Sequence, residues 1–93
     1  MQLALYQYDD GSHQFSDVRT IEINGVLWFV GSDVARILGY SNTNDAIDRH
    51  CKPQGIAFHD TPTSSGTQRL KFINEPNVYR LIVRARLRNF NLE

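Results

Sequence analysis

The chain has 93 residues, 41% of them hydrophobic and 22% charged, with ten basic and ten acidic side chains and a formal net charge of zero. This length supports one domain that hides about 64% of its unfolded surface, and the composition excludes a disordered tail, a coiled coil and a collagen-like rod. The longest apolar run, residues 26–30, is far too short to span a bilayer, no basic residue precedes an apolar stretch in the first ten positions, and Cys51 has no partner for an internal disulfide. A cytosolic setting is the expectation.

The zero charge is a sum of unlike parts. Residues 1–33 carry one base, Arg19, against five acids, and residues 34–93 carry nine bases against five acids. A polyanionic partner therefore suits only the second part, while the neutral total argues against strong non-specific binding to nucleic acid.

In chain order, residues 15–23 are rich in β-formers and run into Asn24-Gly25, a pair that predicts a two-residue type I′ turn. The return strand, residues 26–30, is apolar on both faces and calls for cover on both sides. Ser32 is expected to cap a short helix over residues 32–39, with Asp33 in its first turn, Val34, Ile37 and Leu38 as its apolar stripe, and Gly39 as its stop. A second short helix over residues 42–51 follows, with Asn42 or Thr43 as cap and Ala46 and Ile47 inward. Residues 56–59 and 67–73 read as strands around a polar loop, with Leu70 and Phe72 on one face and Arg69 and Lys71 on the other. Asn74 caps a last helix over residues 74–88, Pro76 near its start, in which Val78, Leu81, Ile82 and Ala85 form the buried stripe. The predicted fold is α+β: a small antiparallel sheet of hairpins, two short helices and a C-terminal helix. The final Leu92-Glu93 reads as a pair left by a cloning site, and an Arg-rich last helix without a cap predicts a longer parent protein.

No enzyme signature emerges. His50, Cys51 and His59 lack metal-ligand spacing and read as packing residues; Asp9, Asp10, Ser12 and His13 crowd one turn without a nucleophile elbow; and the six glycines form no phosphate-cradling loop. Asp33 reads as a first-turn acid rather than a catalytic carboxylate, because no second carboxylate is spaced to share its work. No cofactor or metal is implied. Ala35 followed by Gly39 is the small-residue and turn-glycine pair of a helix–turn–helix, but Asp45 and Asp48 fall where a recognition helix normally buries apolar side chains. Two alternatives stand: a DNA-reading helix pair, or two helices that roof the sheet.

The string Trp28-Phe29-Val30-Gly31-Ser32-Asp33-Val34-Ala35-Arg36-Ile37-Leu38-Gly39-Tyr40-Ser41-Asn42 resembles the core of the Bro N-terminal domain of baculovirus repeated-ORF proteins and phage antirepressors. Phe15 with Val18-Arg19, the helix from Asp45-Ala46-Ile47 to His50, residues 66–73, and Phe72-Ile73-Asn74-Glu75 with Val78-Tyr79-Arg80-Leu81-Ile82 are similar to the same family in the same order. The resemblance implies a compact α+β domain at the front of a longer phage or viral protein that binds DNA or antagonises a phage repressor. Shared fold alone does not settle which.

Arg36, Asn42, Asn44, Arg49, Lys52, Arg69 and Lys71 are the residues expected against double-stranded DNA, the cations on phosphates and the asparagines at a helix start or an adenine edge. The DNA reading requires these cations to gather on one face. Arg80, Arg84, Arg86 and Arg88 form a further run without an intervening acid, suited either to DNA or to packing on another segment. The alternative partner is a phage repressor, disabled by docking without DNA.

Overall fold

In the computed structural model, which describes residues 3–9 and 15–91 and the side chains of residues 17–87, the chain reverses at Asn24 and Gly25 with φ of 51° and 79°. Positive φ at both central positions is the type I′ geometry that matches the twist of the flanking strands. The turn joins β2 (Phe15–Ile23) to β3 (Val26–Val30), with β1 (Leu3–Asp9) antiparallel on the far side of β2. Then follow α1 (Gly31–Ile37), α2 (Thr43–His50), a single 3₁₀ turn at Pro53–Gly55, β4 (Ile56–Thr63), β5 (Gly66–Asn74) and α3 (Glu75–Asn91). The strands form one antiparallel sheet in the order β1-β2-β3-β5-β4. The α+β class and the three helices agree with the sequence.

The sheet has two buried faces. Val18, Phe29 and Ile73 pack beneath Val34, Ala35, Ala46, Ile47, Leu81 and Ala85 of the helices, whereas Ile21, Val30 and Phe72 form a second cluster with Ile23, Trp28 and Leu70, strand residues only. Adjacent residues of β3 thus serve opposite cores, as its two-sided apolar character required. α1 and α2 both roof the sheet, and α2 buries Ala46 and Ile47 while Asp45 and Asp48 stay in solvent. Gly39, at φ 89°, closes α1 and turns the chain toward α2.

Several boundaries differ from expectation. Ser32 does not cap α1: the helix begins at Gly31, directly from the strand, with Val30 as its cap residue and no side-chain cap bond. The cause is tertiary. A Cβ on Gly31 would lie 2.6 Å from Ile47 Cδ1, so any larger residue there would require the buried Ile47 side chain to shift. Gly39 lies past the end of α1, Asn42 and Cys51 are caps rather than members of α2, and α3 runs past residue 88 to Asn91. The expected polar loop shrinks to a tight turn, because β4 continues through Asp60 and Pro62 to pair Thr63 with Gly66. As the edge strand, β4 tolerates a proline whose missing N–H faces no neighbour. Strand β1 had no counterpart in the predicted elements.

The caps at Asn42 and Asn74 are as read: Asn42 Oδ1 accepts from the Asp45 N–H at 3.0 Å, and Asn74 Oδ1 from the Asn77 N–H at 3.3 Å. Asn77, itself buried, clamps the end of α2: its Oδ1 accepts from the Lys52 N–H at 2.8 Å and its Nδ2 donates to the Lys52 carbonyl at 3.0 Å. Tyr40 donates from its hydroxyl to the Leu81 carbonyl at 2.8 Å, tying the α1–α2 turn to α3. Between α1, α3 and the sheet lies an apolar groove of ≈ 270 Å³ lined by Val18, Leu27, Phe29, Ile37, Leu38, Val78 and Ile82 among others. Among the described residues, no helix is long and apolar enough to cross a membrane.

Candidate nucleic-acid interface

The register of the β4–β5 hairpin sets the chemistry of one surface. Phe58 lies opposite Lys71 and Asp60 opposite Arg69, and cross-strand partners share a face, so these four side chains project together from the helix side of the sheet. Phe58 is 48% exposed, with the Arg69 guanidinium carbon 4.9 Å and Lys71 Nζ 5.6 Å from its ring centroid. These distances permit cation–π attraction, which holds both cations upright over the ring. Facing them across a cleft of ≈ 530 Å³ are Ser32, Thr43, Asn44 and Asp48 at the starts of α1 and along α2. The cleft therefore offers two cations, an amide, two hydroxyls and an aromatic face, groups suited to phosphate and sugar contacts, together with the Asp48 carboxylate paired to Lys71.

The seven residues expected from sequence do not share one place, so the single cationic face asked of them does not form, and a DNA reading rests on the smaller set at the hairpin cleft. Asn44, Arg69 and Lys71 line this cleft. Arg49 lines a different one, of ≈ 640 Å³, with His50, Tyr79, Arg80, Val83 and Arg84 between α2 and α3. Asn42 is committed as the α2 cap, and Lys52 is held by its main chain against Asn77. Arg36 lies on α1, its Nη2 3.0 Å from Asp33 Oδ1. Aspartates also answer two of the cleft cations: Arg49 Nε is 3.0 Å from Asp45 Oδ2, and Lys71 Nζ 3.2 Å from Asp48 Oδ1. The Arg49–Asp45 pair is exposed on both sides and worth little, whereas Lys71 is only 19% exposed in its pair with the exposed Asp48. Phe58 was missed because its partnership with Arg69 and Lys71 depends on a hairpin register that composition does not reveal. Of the Arg run, the side chain of Arg88 lies outside the described residues, as do Asp10, Ser12, His13 and Leu92-Glu93.

Of the groups weighed for catalysis, the Asp9 side chain lies outside the described residues with Asp10, Ser12 and His13, and Asp33, Cys51, His50 and His59 have structural partners. Asp33 is 2% exposed, and it accepts from the Arg19 Nε at 2.8 Å, Nη2 at 2.8 Å and main-chain N–H at 3.1 Å, and from Arg36 Nη2 at 3.0 Å. Burial pushes its carboxyl up, but the Arg19 bonds and charge together with the Arg36 bond outweigh it and hold the pKa below the usual carboxylate value. Asp33 thus rivets α1 to β2, a link between residues fourteen apart that sequence reading did not find. Cys51 is buried with Sγ 3.9 Å from the Asn77 carbonyl, and burial pushes its thiol up to about 11, so it is a poor nucleophile at neutral pH. His50 packs against the ring of Tyr40 at 5.9 Å and His59 edge-on to Phe72 at 5.7 Å.

Comparison with known proteins gives two findings. The BRO family, N-terminal domain, matches residues 17–90, a span running from β2 through α3. An uncharacterized protein of Haemophilus influenzae is 48% identical over 66 residues, which are 71% of this chain and 33% of that protein. The chain thus spans about a third of the length of that curated relative. No solved structure matches it.

Proposed function

The chain belongs to the BRO family as an N-terminal domain, a class of DNA-binding regulatory modules, and from that premise we propose that it binds double-stranded DNA as a phage-type antirepressor module, without catalysis. The observation that carries this reading is the cleft where Arg69 and Lys71 stand over Phe58 and face Asn44. Arg69 and Lys71 take phosphates, and Asn44, on the exposed flank of α2 that borders them, reaches for a base edge, where asparagine pairs best with adenine. With about three to five phosphates neutralised in all, the logarithm of affinity falls against log salt with a slope near −3 to −4.5. Anisotropy titration of a labelled duplex at several salt concentrations measures that slope. The Lys71→Gln variant is expected to bind more weakly with a slope smaller by about 0.9. Absence of salt-dependent binding by the wild-type chain at low ionic strength sinks the reading.

A second reading, docking on a phage repressor without DNA, is favoured by the apolar groove between α1 and α3, which opens beside the exposed Tyr79. It predicts a defined complex in which a charge placed in the groove, as in Ile82→Glu, abolishes association with the repressor and leaves duplex binding intact. Pull-down from a lysogen that recovers no repressor counts against it.

A further inference from the structure

The two basic clefts lie on opposite flanks of one helix. In α2, residues four apart share a flank and adjacent residues stand 100° apart. Asn44 and Asp48 therefore point toward the β4–β5 hairpin, where Asp48 meets Lys71, while Asp45 and Arg49 turn toward α3, where Arg80 Nε donates to the His50 carbonyl at 2.9 Å. The outward ridge of α2 thus runs between a wall bearing Arg69 and Lys71 and a wall bearing Arg80 and Arg84.

The second wall is the less neutralised of the two. After Glu75 at its start, α3 carries no acid through Asn91. Arg84 makes no ion pair or hydrogen bond among the described residues, and Arg80, also exposed, donates through Nε to the His50 carbonyl. Tyr79, 57% exposed, adds a hydroxyl beside them in the same cleft. A helix about 10–12 Å across fits a major groove about 12 Å wide, and phosphates of the two strands then border it on both sides.

We infer that the α2–α3 cleft is a second phosphodiester seat, so that α2 lies along the major groove with one strand's backbone on Arg69 and Lys71 and the other's on Arg80 and Arg84. This rests on the DNA reading above and adds to it the reading helix, its orientation and a role for the α3 arginines. The guanidinium groups of Arg80 and Arg84 supply charge-assisted bonds to phosphate oxygens. Arg86 stands about 200° around the helix from Arg84 and belongs to the flank that faces the apolar groove.

The test titrates a random-sequence duplex of about 30 base pairs against the wild-type chain, R69Q/K71Q, R80Q/R84Q, R84Q alone and R86Q, across a range of salt concentrations. Each double variant is expected to lose about 1.8 from the magnitude of the salt slope, and on the order of 100-fold in affinity at 50 mM salt; R84Q, which forfeits no internal bond, loses about half that slope, and R86Q retains the wild-type value. Phosphate ethylation interference should mark positions on both strands across one groove. A wild-type slope for R84Q and R80Q/R84Q, beside a reduced one for R69Q/K71Q, overturns the second seat and leaves the DNA reading standing. An R86Q loss equal to that of R84Q overturns it as well, since charge rather than place would then matter. A wild-type chain that binds no duplex at 20 mM salt overturns the DNA reading itself.

Discussion

Asp33 shows how one buried charge is made tolerable. Its carboxylate accepts a forked pair of bonds from Arg19, with a main-chain N–H and Arg36 completing the shell. Removing one partner of such a pair leaves an uncompensated buried charge, so Arg19→Met should cost about 3 kcal/mol at neutral pH. The sign of the pH effect follows from the direction of the shift. With the folded pKa held below the usual 3.8, the ion pair contributes in full above that value and its contribution is lost as pH falls through the folded pKa. In the variant, burial without Arg19 pushes Asp33 up instead, and acid then relieves the buried charge. Urea unfolding at pH 7 and pH 3 should therefore show a gap between the two proteins that narrows in acid; a constant gap refutes the account. At this scale sequence reading succeeded where the cause is local. Asn24-Gly25, Asn42 and Asn74 act within three or four residues of themselves, whereas the Arg19–Asp33 link and the demand on Gly31 arise only when distant segments meet.

The element that matters most to the proposed activity is α2, whose exposed ridge mixes Asn44 and Arg49 with Asp45 and Asp48. Placing two carboxylates toward a polyanion is unfavourable unless they are paired, and Arg49 and Lys71 supply that pairing. Asp48→Asn should release Lys71 and remove one negative charge from the ridge. Expected is an affinity for non-specific duplex increased on the order of 10-fold at 50 mM salt, with only about 1 kcal/mol change in stability because the Asp48 partner is exposed. Unchanged affinity in the same titration would place DNA away from this ridge. The basic face of β5 was legible from its alternation of Arg69 and Lys71 with Leu70 and Phe72. The reach of β4 was not, since Pro62 and the neighbouring serines and threonines speak for a loop until the strand is known to be an edge.

Over the whole molecule, the direct passage from Val30 into Gly31 makes β3 and α1 continuous, and the main core draws on all three helices and three strands. Such a core should open as a unit. Native-state hydrogen exchange is expected to find the slowest amides in β3, β5 and the Leu81–Ala85 part of α3, at the free energy of global unfolding, with α1 close behind; α1 exchanging at the rate of surface turns would contradict this. The class, and the order of the elements from β2 onward, could be read from periodicity and turns, while β1 could not. The division of the cationic residues between two clefts could not, because it follows from which flank of α2 meets the hairpin and which meets α3.

The pairing of Lys71 with Asp48 and of Arg49 with Asp45 has a consequence for discrimination. On the DNA reading, an incoming duplex has to displace resident carboxylates at Lys71 and Arg49, whereas Arg84 makes no ion pair among the described residues. If α2 is the reading element proposed above, the domain's own acids would serve there as an internal decoy against indifferent stretches of nucleic acid, and lingering would be reserved for a site whose base edges reward α2 beyond the simple exchange of one anion for another.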